Sequence, residues 1–254
     1  MIDLHCHLLP GVDDGSRNIE QSVQVLNAMR ESGVTAVCLT PHFSVREIPE
    51  GLPPSHNTAY ATLLMHAPAG VALHRGVELM LDRPVRPELL SHPELRLAGT
   101  RFILVEFTRM AALTAITNAL GQIAHLGLVP VLAHPERYAA CRPTAVRQWK
   151  AAGALMQVDA LTLLSGRGRG QRARTLLGQG LADIIAADNH GDKRLMHIAC
   201  EYLREHGGEA QADLLARGNP EAIIADGEVE PVPPLEIKTP LFDRLKSILG
   251  GDEE

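Results

Sequence analysis

The chain has 254 residues, 45% of them hydrophobic and 21% charged, which suits one large α/β domain with a sizeable core. A formal net charge of -6 with no sustained basic stripe, and an aromatic content of 3%, speak against nucleic-acid partners held by charge or by base stacking. No window approaches the roughly 18 apolar residues of a membrane span. The N-terminus has no basic region leading into an apolar run, and Cys6, Cys38, Cys141 and Cys200 lack paired spacing, so a cytoplasmic protein with reduced thiols and no membrane insertion is expected.

Along the chain, β-rich runs alternate with helical patterns. Strands are expected at 2–7, 34–40, 71–79, 101–107, 128–133, 154–159 and 182–187. The first helix follows Asn18 as N-cap with Gln21 three residues on, carries Ile19, Val23 and Leu26 on one face, and stops at Gly33. Similar patterns place helices at 112–126, 144–152 and 172–179, ended by Gly127, Gly153 and Gly180. Seven strand–helix alternations imply a parallel sheet closing into a (β/α)7 barrel of the TIM type. The 43–54 stretch, rich in proline, reads as a mobile loop. The barrel is expected over 1–226. Pro231, Pro233 and Pro234 mark a linker within 227–254, and Leu241, Phe242, Leu245, Ile248 and Leu249 share one face of a short tail helix.

Nearly every expected strand ends in a metal-ligating residue type. His5 and His7 close the first, His42 the second, Glu78 the third, Glu106 the fourth, His134 the fifth, and Asp188 with His190 the seventh. In a parallel barrel these ends form one mouth, so the side chains can converge. Asp14, in Val12-Asp13-Asp14-Gly15, is the ninth candidate, with Asp13 its competitor. Imidazoles with carboxylates suit manganese, iron or zinc, and nine donors exceed the needs of one ion, so two or three divalent metals are implied. A lone histidine at a strand end is usually structural; the joint pattern is what changes the reading. His56, His66, His74, His92, His125, His197 and His206 fall in loops or helices and read as non-ligands.

Arg137 and Arg194 lie close after His134 and His190, placed to clamp a phosphate. Cys141 and Arg147 match the Cys-x5-Arg spacing of cysteine-dependent phosphatases, but the residues between them look like a helix start and lack a glycine cradle. Gly166-Arg-Gly-Arg-Gly170 reads as a flexible βα connection rather than a phosphate loop.

These segments carry a resemblance. Ile2-Asp-Leu-His-Cys-His, Val12-Asp-Asp-Gly, Thr40-Pro-His, Gly76-Val-Glu-Leu, Leu104-Val-Glu-Phe, Ala133-His-Pro-Glu-Arg-Tyr and Ala187-Asp-Asn-His resemble, in order, the PHP (polymerase and histidinol phosphatase) superfamily. The two motifs around Asp13 and Glu136 are similar to the bacterial tyrosine-protein phosphatases of the CpsB/YwqE type. The resemblance, over residues 1–225, implies a distorted (β/α)7 barrel with a three-metal site, often manganese-loaded. It implies phosphotyrosine as substrate, on bacterial tyrosine kinases that control capsule and exopolysaccharide synthesis. The nine candidates above take the family's ligand positions, and Arg137 and Arg194 its phosphate-binding ones. Ala187 departs from the usual serine, and Asp159 from a neutral residue. Two other readings compete: a small-molecule phosphatase such as one for histidinol phosphate, and a non-catalytic metal-binding module.

Overall fold

The computed structural model describes residues 1–85, 87–235 and 237, so the apolar stripe expected from Leu241 to Leu249 lies outside the described residues. The strands are β1 (Ile2–Cys6), β2 (Ala36–Leu39), β3 (His42–Ser44), β4 (Ala72–Arg75), β5 (Glu78–Met80), β6 (Phe102–Glu106), β7 (Val129–Ala133), β8 (Leu155–Asp159) and β9 (Ile184–Ala186). Every pairing among them is parallel, in the orders β1-β2-β4 and β3-β5-β6-β7-β8-β9.

Nine strands make seven strand paths. β2 and β3 are halves of one path broken at Pro41, which has no N–H for a ladder. β4 and β5 are halves of another, broken at Gly76-Val77. Gly76 N donates to Leu39 O at 3.0 Å and Glu78 N to Pro41 O at 3.0 Å, which carries the two paths past their breaks together. At the far edge, Asp188 N donates to His5 O at 3.0 Å and His7 N to Asn189 O at 2.8 Å. The last strand path therefore meets the first.

Alternation divides the apolar side chains into two cores. Leu4, Phe102, Leu104, Val131 and Ile184 pack inside the curled sheet, with Leu97 and Ile223 among them. The opposite strand faces pack on the helices α1 (Ile19–Glu31), α2 (Pro54–His66), α3 (Leu113–His125), α4 (Pro143–Ala151), α5 (Ala160–Leu164), α6 (Gly168–Gly178), α7 (His197–Glu205) and α8 (Glu209–Asp213), while α9 (Asn219–Ile224) supplies Ile223 to the inner core. α1 starts as its sequence dictates, with Asn18 Oδ1 accepting from Gln21 N at 2.9 Å.

Three segments differ from the sequence reading. The expected mobile loop at 43–54 holds β3 and a 3-10 turn, Val45–Glu50, whose Val45 and Ile48 are buried. The Gly-Arg-Gly run supplies the first turn of α6 rather than a flexible connection. A Cβ on Gly170 would fall 1.9 Å from Ser165 O, so the close approach of backbone to backbone selects glycine there. The proline-containing stretch before Ile237 is extended but attached to the body. Val232 is buried, Leu235 N donates to Leu177 O at 3.0 Å, and Gln211 Nε2 reaches Pro233 O and Pro234 O at 3.3 Å.

Asn219 is the main polar link in that attachment. Its buried amide donates to Asp183 O at 2.8 Å and Glu230 O at 2.9 Å, and accepts from Glu230 N at 2.9 Å. Asn219→Ala is expected to cost about 2–3 kcal/mol, at roughly 1 kcal/mol per hydrogen bond lost. Urea unfolding should show a lower midpoint at unchanged slope; an unmoved midpoint would mean that apolar packing alone holds the segment.

Candidate metal centre

The strand paths end at one mouth, and strand register decides what points into it. On β6, Phe102, Leu104 and Glu106 alternate onto the interior, so the carboxylate follows the apolar residues directly. On β8, Gln157 and Asp159 extend the same face. β1 needs a correction: its pairing shifts between Asp3↔Val37 and Cys6↔Leu39, three steps on one strand against two on the other. That extra residue reverses the alternation. Leu4 and His5 both reach the interior, and Cys6 joins the outer core. His134 is re-aimed differently, by a left-handed backbone at φ 35°; Asp188 also sits at φ 49°. Non-glycine residues held there are uncommon and gather at functional sites.

All nine candidate donors come together. His5 Nε2 and His7 Nε2 face each other at 3.1 Å. Glu78 Oε2 lies 3.3 and 3.4 Å from them, and Asp188 Oδ1 3.3 and 3.5 Å. His42 Nδ1 is 3.0 Å from Glu78 Oε2 and 3.2 Å from Glu106 Oε1. His134 Nε2 meets Glu78 Oε1 at 2.9 Å. On the outer side, Asp14 Oδ1 is 3.4 Å from His42 Nε2 and 3.5 Å from His190 Nε2, and the His7 and His190 rings stack at 4.0 Å.

These separations fit divalent ions. Nitrogen and oxygen ligands at about 2.0–2.2 Å from a metal stand about 3–3.6 Å apart in tetrahedral or octahedral sites. Eight of the nine donors form three groups, His5, His7 and Asp188; His42, Glu78 and Glu106; and His7, Asp14, His42 and His190, and His134 adjoins them through Glu78. Glu78 Oε2 is buried with no hydrogen-bond donor directed at it, which a cation would remedy.

Electrostatics reflect this crowding. Burial opposes charge on Glu78, yet the close imidazoles of His5, His134 and His42 hold its carboxyl well below the usual range. Burial likewise disfavours protonated His42, but Glu106 and Glu78 outweigh it and push that ring up to about 10.

Behind the donors stands a set of residues that fix them. Asp13 Oδ2 accepts from His7 Nδ1 at 2.7 Å and from His42 N at 3.1 Å, while Asp14 is 69% exposed. The two aspartates thus divide the labour left open between them. Gly15 permits it, since a Cβ there would lie 1.9 Å from His7 O. Gln157 Oε1 bonds His5 Nδ1 at 2.9 Å, and buried Asp3 accepts from His5 N and Ala187 N. Gln21 Nε2 donates to Gly191 O at 2.6 Å, pinning the loop of Asp188 and His190 to the start of α1. Of these, Asp13 and Gln21 had a signal in the sequence; Gln157 and Asp3 are buried strand residues, where a polar side chain needs a partner.

Arg137 reaches the same cluster. Its Nη2 donates to Asp188 Oδ2 at 2.5 Å and to Asp159, whose Oδ1 also caps α5 through Thr162 N at 2.8 Å. Asp159 is therefore the arginine's partner. Arg194 is held by Asp192 at 2.8 Å and leaves Nη1 3.9 Å from Asp188 Oδ2. Cys141 plays no such part: burial pushes its thiol up to about 12, and Arg147 turns away to Gln179.

Residues 1–225 match the family described as capsular polysaccharide synthesis, CpsB/CapC, and the chain belongs to that family. It is 27% identical to the tyrosine-protein phosphatase CpsB of Streptococcus pneumoniae over 240 residues, covering 89% of this chain and 99% of that one. It is 25% identical to the tyrosine-protein phosphatase YwqE of Bacillus subtilis, covering 94% and 97%. A crystal structure from work on YwqE and CpsB, described as metal-dependent tyrosine phosphatases, shares the fold at a TM-score of 0.78 and 24% identity, over 94% of this chain and 100% of that one. The phosphotriesterase of Mycobacterium tuberculosis shares it more distantly, at a TM-score of 0.58 and 11% identity over 89% and 95%.

Asp13→Ala is expected to weaken divalent-ion binding about 10–100-fold, the usual effect of removing the partner behind a ligating imidazole. Competition with a fluorescent chelator measures it. Unchanged affinity would show that His7 needs no such partner.

Proposed function

We propose that this chain is a metal-dependent protein-tyrosine phosphatase. In this reading His5, His7, Asp14, His42, Glu78, Glu106, His134, Asp188 and His190 ligate two or three divalent ions, manganese first among them and iron or zinc also accepted. Arg137 and Arg194 clamp the phosphate. The observation that carries the proposal is the convergence of those nine donors, eight in the three groups above and His134 on Glu78, with two arginines directed at Asp188. The names of the relatives support the substrate. The family's link to capsular polysaccharide supports a bacterial tyrosine kinase of capsule or exopolysaccharide synthesis as the protein acted upon. Among the described residues no helix is long and apolar enough to cross a membrane. Four free, buried cysteines support a reducing, cytoplasmic setting.

When bound, the ions supply activation of water and neutralisation of phosphate charge. The chain's own residues supply the rest. Asp13, Gln157 and Asp3 hold the His5–His7 segment in one geometry. Burial opposes the Arg137 charge, but Asp188 and Asp159 raise its pKa and keep it ionised. Its remaining N–H groups can then meet the non-bridging oxygens as charge builds on them. A phenolate leaving group, with a conjugate-acid pKa near 10, departs with less protonation than an alkoxide. The site therefore has less need of a dedicated general acid.

Against a small-molecule phosphatase stands the shape of the mouth. Asp14 is 69% and His42 39% exposed, so the outer donor group lies open to a phosphotyrosine carried on a protein segment.

Phosphate release by manganese-loaded protein should favour a tyrosine-phosphorylated peptide over histidinol phosphate, and chelator should abolish it. Preference for histidinol phosphate would keep the metal centre and overturn the substrate; hydrolysis of neither would favour a binding module. His134→Ala should lower turnover by at least about 100-fold, and a loss of only severalfold would contradict the assignment. Arg137→Ala should lower kcat/KM about 100-fold or more with metal content unchanged, as for removal of a preorganised charge-stabilising donor.

A further inference from the structure

The distribution of charge along this chain is uneven. Residues 107–182 contain nine arginines and lysines but only two acids, Glu136 and Asp159; from totals of 24 and 30, the rest of the chain has fifteen basic and twenty-eight acidic residues. Both acids are buried and engaged. Glu136 Oε1 accepts from Asp159 N at 3.0 Å, and Asp159 pairs with Arg137. Among the described residues, the ion pairs made by these nine bases are those of Arg137 with Asp159 and Asp188 and of Lys150 with Asp183.

The fold gathers four of the seven bases without an ion pair on one side of the mouth. Arg109 follows β6, Arg142 follows β7, and Arg169 and Arg172 begin α6 after β8, so all stand at strand ends on the metal side. Ala139 N donates to Arg109 O at 2.9 Å, joining the loops after β6 and β7. Arg172 Nε donates to Glu136 O at 2.8 Å, joining α6 to the residue beside Arg137. Arg142 and Arg172 face a shared open cavity of about 310 Å³, with Gln171 and Thr175 between them. Partial burial, then the charges of Arg109, Arg137 and Arg172, hold the Arg169 guanidinium below its usual value, as expected for cations crowded together. Met110, next to Arg109, is 81% exposed. The sequence has no basic run because the rim is assembled from three separate loops.

We propose that this arginine rim binds acidic side chains of the protein substrate, on the segment flanking the phosphotyrosine. The inference rests on the phosphatase reading and adds a substrate class: a phosphotyrosine embedded among aspartates and glutamates. Like-charged guanidiniums without carboxylates of their own are costly to crowd together, and an acidic partner relieves that cost. The cavity between α4 and α6 has room for a carboxylate side chain beside Arg142 and Arg172. An acidic flank is also what the chain's other surface would repel, so the rim orients the peptide across the mouth as well as attracting it.

The test uses metal-loaded full-length protein and three phosphotyrosine peptides, with aspartate, neutral or lysine flanks, beside p-nitrophenyl phosphate. At low salt the aspartate peptide should show kcat/KM about tenfold above the lysine peptide, shrinking as salt screens the exposed charges. The double variant Arg109→Gln/Arg169→Gln should lose most of that preference, about fivefold, yet hydrolyse p-nitrophenyl phosphate within twofold of the parent. Equal use of the three peptides, preference for lysine flanks, or a preference unaltered in the variant would overturn the inference while leaving the phosphatase reading intact. Failure to hydrolyse p-nitrophenyl phosphate and all three peptides would overturn that reading and this inference with it.

Discussion

The structure turns on a carboxylate that has no business being dry. Glu78 is 1% exposed and has four imidazoles within 3.4 Å. Removing an unpaired carboxylate from water costs several kcal/mol even after relaxation. Glu106 and Asp188, placed beside it, add to the deficit of positive charge. Two remedies exist. Protons on the histidines can balance the carboxylates: burial disfavours a charged His7, but Asp13, Asp188 and Glu78 raise it well above its usual range. Divalent ions can do the same, but only at imidazoles that have given up their protons. The two remedies exclude each other at each ring, so metal binding must expel protons from this cluster.

That constraint explains why so much of the surrounding structure is fixed. A cluster of donors tuned for ions is worth little if the rings can turn away. The mouth accordingly spends its polar residues on orientation: Gln157 behind His5, Asp13 behind His7, and Asp3 beneath the ends of β1 and β9. Tyr138 serves the same end. Its hydroxyl donates to Ala133 O at 3.0 Å and accepts from Phe107 N at 3.2 Å, tying together the ends of β6 and β7, which supply Glu106 and His134. Metal-ligating residue types stand at strand ends, where a rigid ladder sets their spacing to within an ångström.

Which of this the sequence could reveal follows from the kind of signal each feature leaves. Strand ends with metal-ligating side chains are legible because residue type and alternation coincide, as at Glu106 after Phe102 and Leu104. Helices α1, α3 and α4 are legible from their apolar stripes and glycine stops, and lie within two residues of expectation. α2 left no stripe: its first turn is Pro54-Ser-His-Asn, and only His56 and Leu63 are buried along it. The start of α6 was obscured by glycines that disfavour helix intrinsically, although one of them, Gly170, is required by the approach of Ser165. The register shift in β1 and the left-handed turn at His134 leave no local mark at all. Both decide where a histidine points.

The charge of the mouth is divided by the same geometry. Arg137 stands at the boundary, its guanidinium shared between Asp159 and Asp188. On one side lie the donors, rich in carboxylates. On the other lies the rim of the β6, β7 and β8 loops, where burial and then Asp159 push Glu136 up to about 8. Asp159 holds Arg137 in place, and its own negative charge is balanced there. The result is a dipole across the opening. On the phosphatase reading, a phosphorylated side chain at this opening would lie between the basic rim and the carboxylate-rich donors, its charge partly balanced by the one as it met the other.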